Sequence, residues 1–73
     1  MAIIDVKTEI TGNVWKVLLE VGADVDEDEP IIILESMKME IPVSAPESGK
    51  IVEILVEPDQ TVTEGAVVAR IEA

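Results

Sequence analysis

One stretch of this chain holds residues in a pattern that could do chemistry: Glu35-Ser36-Met37-Lys38-Met39-Glu40. Lys38 is one of five basic residues set against sixteen acidic ones. A methionine stands on each side of it, and a glutamate closes the run at each end. Apolar residues lead in (Ile31 to Leu34) and out (Ile41 to Val43). A lone amine at the tip of an apolar hairpin is a place to attach something. At neutral pH an alkylamine is an ammonium ion and a poor nucleophile. Attachment therefore needs an enzyme that removes a proton and supplies an activated group.

No other stretch offers comparable chemistry. The chain has no His and no Cys, which excludes a disulfide scaffold and a Cys-based zinc site. The sequence shows no Ser–base constellation and no glycine run that could cradle a phosphate. Asp24, Asp26, Asp28 and Glu35 do fall at positions 1, 3, 5 and 12 of an EF-hand-like spacing, with Ile31 at position 8. Glu29 replaces the glycine such a loop requires, Pro30 follows it, and the flanks read as strands. An acid-rich turn is the simpler account, so neither a metal site nor a catalytic residue is expected.

The bulk numbers bound what surrounds the run. With 73 residues, the chain reads as a single domain spanning 1–73. A domain of this size buries only about 60% of its unfolded surface. Hydrophobic content of 48% suffices for a compact core, and that core is aliphatic because Trp15 is the sole aromatic residue. The net charge of −11 repels nucleic acid and anionic membrane, so neither is an expected partner. The N-terminus lacks the basic patch and apolar stretch of a signal peptide. No apolar run approaches the roughly 20 residues of a membrane span. These features read as a soluble, cytoplasmic domain, monomeric in isolation.

An internal repeat organises the elements. Gly12 and Gly49 open two copies of one pattern, offset by 37 residues without a gap. Val14, Val17, Leu18 and Leu19 align with Ile51, Ile54, Leu55 and Val56, and Glu20 with Glu57. Leu34-Glu35 aligns with Ile71-Glu72. Gly22 corresponds to Asp59, and Asp28 to Gly65. Glycine enters left-handed backbone freely and Asp tolerates it, so both copies should turn alike at both places. The runs are rich in Val, Ile, Leu and Thr, bounded by Gly, Pro, Asp and Asn, which reads as strand. Val17, Leu19 and Val21 alternate with Lys16, Leu18 and Glu20; Val52, Ile54 and Val56 alternate with Glu53, Leu55 and Glu57. Pro30, Pro42, Pro46 and Pro58 should lie at strand starts, edges or turns. About eight short strands in two small sheets, related by a pseudo-twofold axis, are expected.

A tight turn at Met37-Lys38 gives a self-consistent register. Ser36 then faces Met39, Glu35 faces Glu40, Leu34 faces Ile41 and Ile32 faces Val43. Opposed residues share a sheet face, so the four apolar residues line one face and the two glutamates the other. The turn chemistry is poor, since two-residue hairpin turns favour Asn-Gly, Asp-Gly or Gly-X. Two like charges directly across strands also cost stability. Local rules broken at one spot are expected at functional sites; the alternative is a solvated hairpin with an ordinary lysine whose charge the nearby glutamates soften.

The run Glu35-Ser36-Met37-Lys38-Met39-Glu40 resembles the attachment motif of biotinyl domains, in which a Met-Lys-Met tripeptide carries the modified lysine. The repeat around it resembles the biotinyl/lipoyl domain from about Val6 to Ile71. In length the chain looks most like the stand-alone biotin/lipoyl attachment proteins of bacteria, or a carrier domain cut from a carboxylase. The resemblance implies an all-β flattened barrel of two four-stranded antiparallel sheets, with Lys38 at the exposed turn. It implies covalent biotin on Lys38, attached by a biotin protein ligase from biotinyl-adenylate. It implies biotin carboxylase and carboxyltransferase partners, between which the domain carries a carboxyl group without catalysing anything itself. Lipoyl domains usually have Asp-Lys-Ala at the tip, so Met37 and Met39 favour biotin. Asp28 and Asp59 depart from the glycines common in related turns. The chain also lacks the inserted "thumb" of some acetyl-CoA carboxylase carriers, which argues against that subunit.

Met37 and Met39 are the first candidates for recognition, being flexible and polarizable; Met39 could instead fold onto the Ile41 face as core. Glu35, Glu40 and Ser36 are further candidates, although the glutamates could equally be a solubilising pair. Two rival functions stay open: a lipoyl carrier, and a lipoyl-like interaction module that carries nothing.

Overall fold

The computed structural model describes residues 2–73. Among these residues there are eight strands: β1 (Ile3–Lys7), β2 (Gly12–Val17), β3 (Asp24–Val25), β4 (Pro30–Ser36), β5 (Met39–Ser44), β6 (Gly49–Ile54), β7 (Thr61–Val62) and β8 (Val67–Glu72). They form two four-stranded antiparallel sheets, ordered β1-β8-β6-β3 and β5-β4-β2-β7. Each sheet draws strands from both copies of the repeat. The copies therefore interlock, and neither could bury its apolar side chains alone.

The 37-residue offset relates the two sheets strand by strand. The turns expected to match do match: Gly22 and Asp59 have φ of 97° and 72°, and Asp28 and Gly65 have 68° and 88°. The backbone bonds repeat as well. Gly22 N–H donates to the Ile51 carbonyl and Asp59 N–H to that of Val14; Asp28 N–H donates to Ala45 and Gly65 N–H to Thr8. Even a side-chain bond is duplicated. The Ser48 hydroxyl accepts from Glu27 N–H, and the Thr11 hydroxyl from Glu64 N–H.

Between the sheets lies an aliphatic core that includes Val6, Val14, Ile31, Ile32, Leu34, Ile51, Val68 and Ile71. Thr8 is the buried polar residue of this set; its hydroxyl donates to the Ile10 carbonyl at 2.8 Å, and among the described residues no buried side-chain polar atom lacks a partner. The prolines sit where a missing N–H costs nothing. Pro30 opens β4, Pro42 lies on the edge strand β5, Pro46 falls in a bend and Pro58 in a turn.

The expected alternation holds from Lys16 to Glu20, with Val17 and Leu19 packed on the core, and departs at Val21, which is exposed beyond the end of β2. Upstream of that run, both copies carry an irregularity. The register of β2 on β4 shifts between Val14 and Lys16, and that of β6 on β8 between Ile51 and Glu53. A bulge of this kind places two residues opposite one, which moves the inward-facing positions out of simple alternation. It falls at equivalent places in both copies. Trp15 occupies one extra position and Val52 the other.

Candidate functional site

The hairpin β4–β5 positions every residue of the candidate run. Its register is the expected one: Ser36 opposite Met39, Glu35 opposite Glu40, Leu34 opposite Ile41 and Ile32 opposite Val43. Ile32, Leu34 and Val43 are buried and Ile41 is half-buried, so the apolar face anchors the hairpin in the core. Glu35 and Glu40 are exposed on the outer face. Two consecutive left-handed residues close the turn, Met37 at φ 52° and Lys38 at φ 66°. That is the backbone of a two-residue hairpin turn, built here without glycine. A left-handed conformation costs an ordinary side chain about 1–2 kcal/mol. The buried rows beneath hold the turn in spite of that cost.

The strained turn lifts its side chains away from the body. Met37 is 92% exposed and Met39 62%, so Met39 does not fold onto the Ile41 face. Lys38 is exposed, and among the described residues its ammonium has no carboxylate within 4.0 Å. Ser36 is half-buried at the foot of the turn. Gly12, on the neighbouring β2, backs this corner. A Cβ there would sit 3.0 Å from the Glu35 carbonyl oxygen and 3.5 Å from Ser36 Cβ. An exposed, unpaired amine on a rigid two-residue turn suits an acylated arm, which needs reach and no pocket.

Elsewhere the chain offers little that could act. Asp24 pairs with Lys50 in the β3–β6 ladder, Asp28 turns before β4, and Glu35 lies beside the tip. Among the described residues no group of three or more acids could hold a metal ion. A groove of about 420 Å³ runs between β1 and β5, lined by Lys7, Thr8, Glu9, Pro42 and Ser44 among others. It does not include the hairpin tip. Arg70 bonds Glu53 at 2.7 Å and Asp5 at 2.9 Å; these bonds, Glu53's first, raise the pKa of its guanidinium further. No helix is long and apolar enough to cross a membrane.

One residue beside the site escaped the sequence reading. Trp15 is 49% exposed on the outer side of β2, and Lys16 Nζ lies 5.6 Å from its ring centroid. No periodicity signals this, because the bulge turns Trp15 outward.

A family model described as "Biotin-requiring enzyme", of the biotin/lipoyl type, matches residues 3–71. A biotin/lipoyl attachment protein of Bacillus subtilis is 40% identical over 62 residues, covering 85% of this chain and 85% of that protein. The dihydrolipoyllysine-residue acetyltransferase component of the pyruvate dehydrogenase complex of Corynebacterium glutamicum is 42% identical over 60 residues. That match covers 82% of this chain and 9% of the relative. Among solved structures, the Kluyveromyces lactis urea carboxylase superposes with a TM-score of 0.93 at 36% identity. The overlap covers 99% of this chain and 6% of that one.

Proposed function

The chain belongs to the biotin/lipoyl attachment family, and we propose that within it this is a biotin carboxyl carrier domain modified on Lys38. The observation that carries the reading is the exposed Met37-Lys38-Met39 turn. A biotin protein ligase removes a proton from Nζ, which then bonds to the biotinyl carboxyl carbon as the acyl–adenylate bond breaks. The product is an amide. Lys38 loses its positive charge, and the net charge of −11 becomes one unit more negative.

Bound biotin supplies a ureido nitrogen that accepts a carboxyl group at a biotin carboxylase and yields it at a carboxyltransferase. The chain's own residues do something simpler. The buried Ile32, Leu34 and Val43 fix the base of the hairpin. The left-handed Met37 and Lys38 aim the arm outward. Tethering keeps the group at a high effective concentration near both partner sites. The domain itself catalyses nothing. It acts as a soluble cytoplasmic monomer, and its acidic surface keeps it off nucleic acid and membranes.

Lipoyl carriage is the second reading, favoured by the similarity to the Corynebacterium acetyltransferase component. A lipoyl-like module that carries nothing is the third. Intact-mass measurement of the chain produced beside an active biotin ligase separates them. A single biotinyl increment that disappears in Lys38→Arg is the expected result. A lipoyl increment in cells that also hold a lipoyl ligase selects the second reading. No increment, with the ligases proven on control substrates, selects the third.

A further inference from the structure

The pseudo-twofold supplies an internal control for what the fold needs and what one sheet needs for something else. On the outer face of the first sheet, Asp5, Arg70 and Glu53 stand in one row across β1, β8 and β6. They are joined by ion pairs of 2.9 and 2.7 Å. The equivalent row of the second sheet crosses β5, β4 and β2 at Pro42, Ile33 and Lys16. There the ionic row is absent. Ile33 replaces Arg70 at the centre, Pro42 replaces Asp5, and Trp15 bulges out beside Lys16 where the other sheet has Val52. Exposed apolar groups common to both halves, such as Leu18 and Leu55, need no such explanation.

The row toward the tip differs in the same way. The second sheet sets Glu35 directly against Glu40, whereas the first sets Glu72 against Ile3. Among the described residues no cation pairs with either glutamate of the hairpin. Thus the sheet that carries Lys38 has a strip of exposed Trp15, half-buried Ile33 and exposed Pro42, with two glutamates that no cation pairs between that strip and the lysine, whereas the first sheet has its ion-paired row and, among the described residues, one exposed apolar residue, Ile3, on its edge strand.

We propose that this outer face of the second sheet is the docking surface for the enzyme that acylates Lys38. The partner surface presents an apolar recess for the Trp15 indole and cationic side chains toward Glu35 and Glu40. The inference rests on the carrier reading above and adds where the ligase stands. A specific contact needs roughly 500 Å² or more from each partner, against a total surface of 4525 Å². A partner that meets the six-residue hairpin end from one side covers only part of that area, so the footprint extends down one face of the sheet that the hairpin continues. Tryptophan is among the side chains that dominate such contacts when an apolar pocket closes over them. The directly opposed glutamates repel each other in the free domain, and a cationic partner would relieve that repulsion.

The test is the rate of biotinylation of the full chain by a biotin ligase with ATP and biotin, followed by intact mass. Trp15→Ser and Ile33→Thr are compared with wild type, and Glu53→Gln on the other sheet is the control. The expected result is a fall in kcat/KM of about ten-fold or more for each strip variant, carried by KM with kcat little changed. Glu53→Gln should match wild type, and thermal melts should show every variant folded. Normal modification of wild type with strip variants within about two-fold of it overturns the docking surface alone. Failure of wild type to accept biotin overturns the carrier reading and this inference together. A wild-type dimer that Trp15→Ser converts to monomer, with unaltered ligase kinetics, assigns the strip to self-association and also overturns the proposal.

Discussion

Gly12 approaches the backbone of Glu35 so closely that a Cβ would stand 3.0 Å from the Glu35 carbonyl oxygen. The twofold-related pair repeats the approach more tightly, Gly49 against Glu72. Both glycines open a copy of the repeat, so the mark seen in the sequence is a packing requirement at the foot of β4 and of β8. Beneath the β4–β5 hairpin, that requirement sets where the tip stands.

Gly12→Ala should therefore destabilise the domain by about 1–3 kcal/mol, the usual range for overpacking against backbone that cannot swing aside. Gly49→Ala should cost more than Gly12→Ala. Urea denaturation of the two variants checks the order. Gly12→Ala should also slow biotinylation of the folded protein, because its displacement falls at Glu35 and Ser36, whereas Gly49 is remote from the tip in the register.

Met37→Gly should raise stability by about 0.5–1.5 kcal/mol, since glycine removes the left-handed strain but has more freedom to lose on folding. Asp28→Gly and Asp59→Gly, at comparable φ, should gain less because Asp already tolerates that conformation. Denaturant midpoints measure the three gains. Met37→Gly should nevertheless be a poorer ligase substrate than wild type, having lost a 92% exposed side chain at the tip and some rigidity of the turn.

Glu40→Gln removes the repulsion across the β4–β5 pair and should stabilise by a few tenths of a kcal/mol, within the roughly 0.2–1 kcal/mol of cross-strand pairs. The gain should shrink at high ionic strength, because exposed charges are screened. Thermal melts at low and high salt check both statements. If the acids face a cationic partner, the same variant should raise the KM of biotinylation.

Leu34 and Ile71 are twofold partners, both fully buried. Each replaced by Ala should cost about 2–5 kcal/mol, a large part of the roughly 4–11 kcal/mol that a domain of this size commands. The two melting temperatures should fall alike. At a temperature where both variants remain folded, Leu34→Ala should be biotinylated more slowly than Ile71→Ala, since Leu34 sits in the strand that ends at the turn.

Much was legible in the chain itself. The Gly22–Asp59 and Asp28–Gly65 correspondences foretold four left-handed turns, because the tolerance of a residue for positive φ belongs to that residue and its neighbours. The register around Met37-Lys38 was equally readable, since a one-residue slip would have placed Glu35 and Glu40 in the core. Lys38 stood out by its flanking methionines and glutamates and by its place at the turn. All of these are local properties: backbone preference, a period of two, and a short run of residue types.

What only the tertiary structure decided is non-local. The sheets are assembled across the copies, with β3 on β6 and β7 on β2, which no local pattern specifies. The bulges at Trp15 and Val52 arise from the fit of one strand on its partner, and they separate the inward-facing Val14 and Ile51 from the alternation that resumes at Val17 and Ile54. They also turned the sole aromatic side chain outward, onto the face that carries Lys38. A side chain's direction in a strand follows from the ladder to which the strand is bonded. The candidate lysine and its turn could thus be placed from the sequence, whereas the surface beside them required the paired strands.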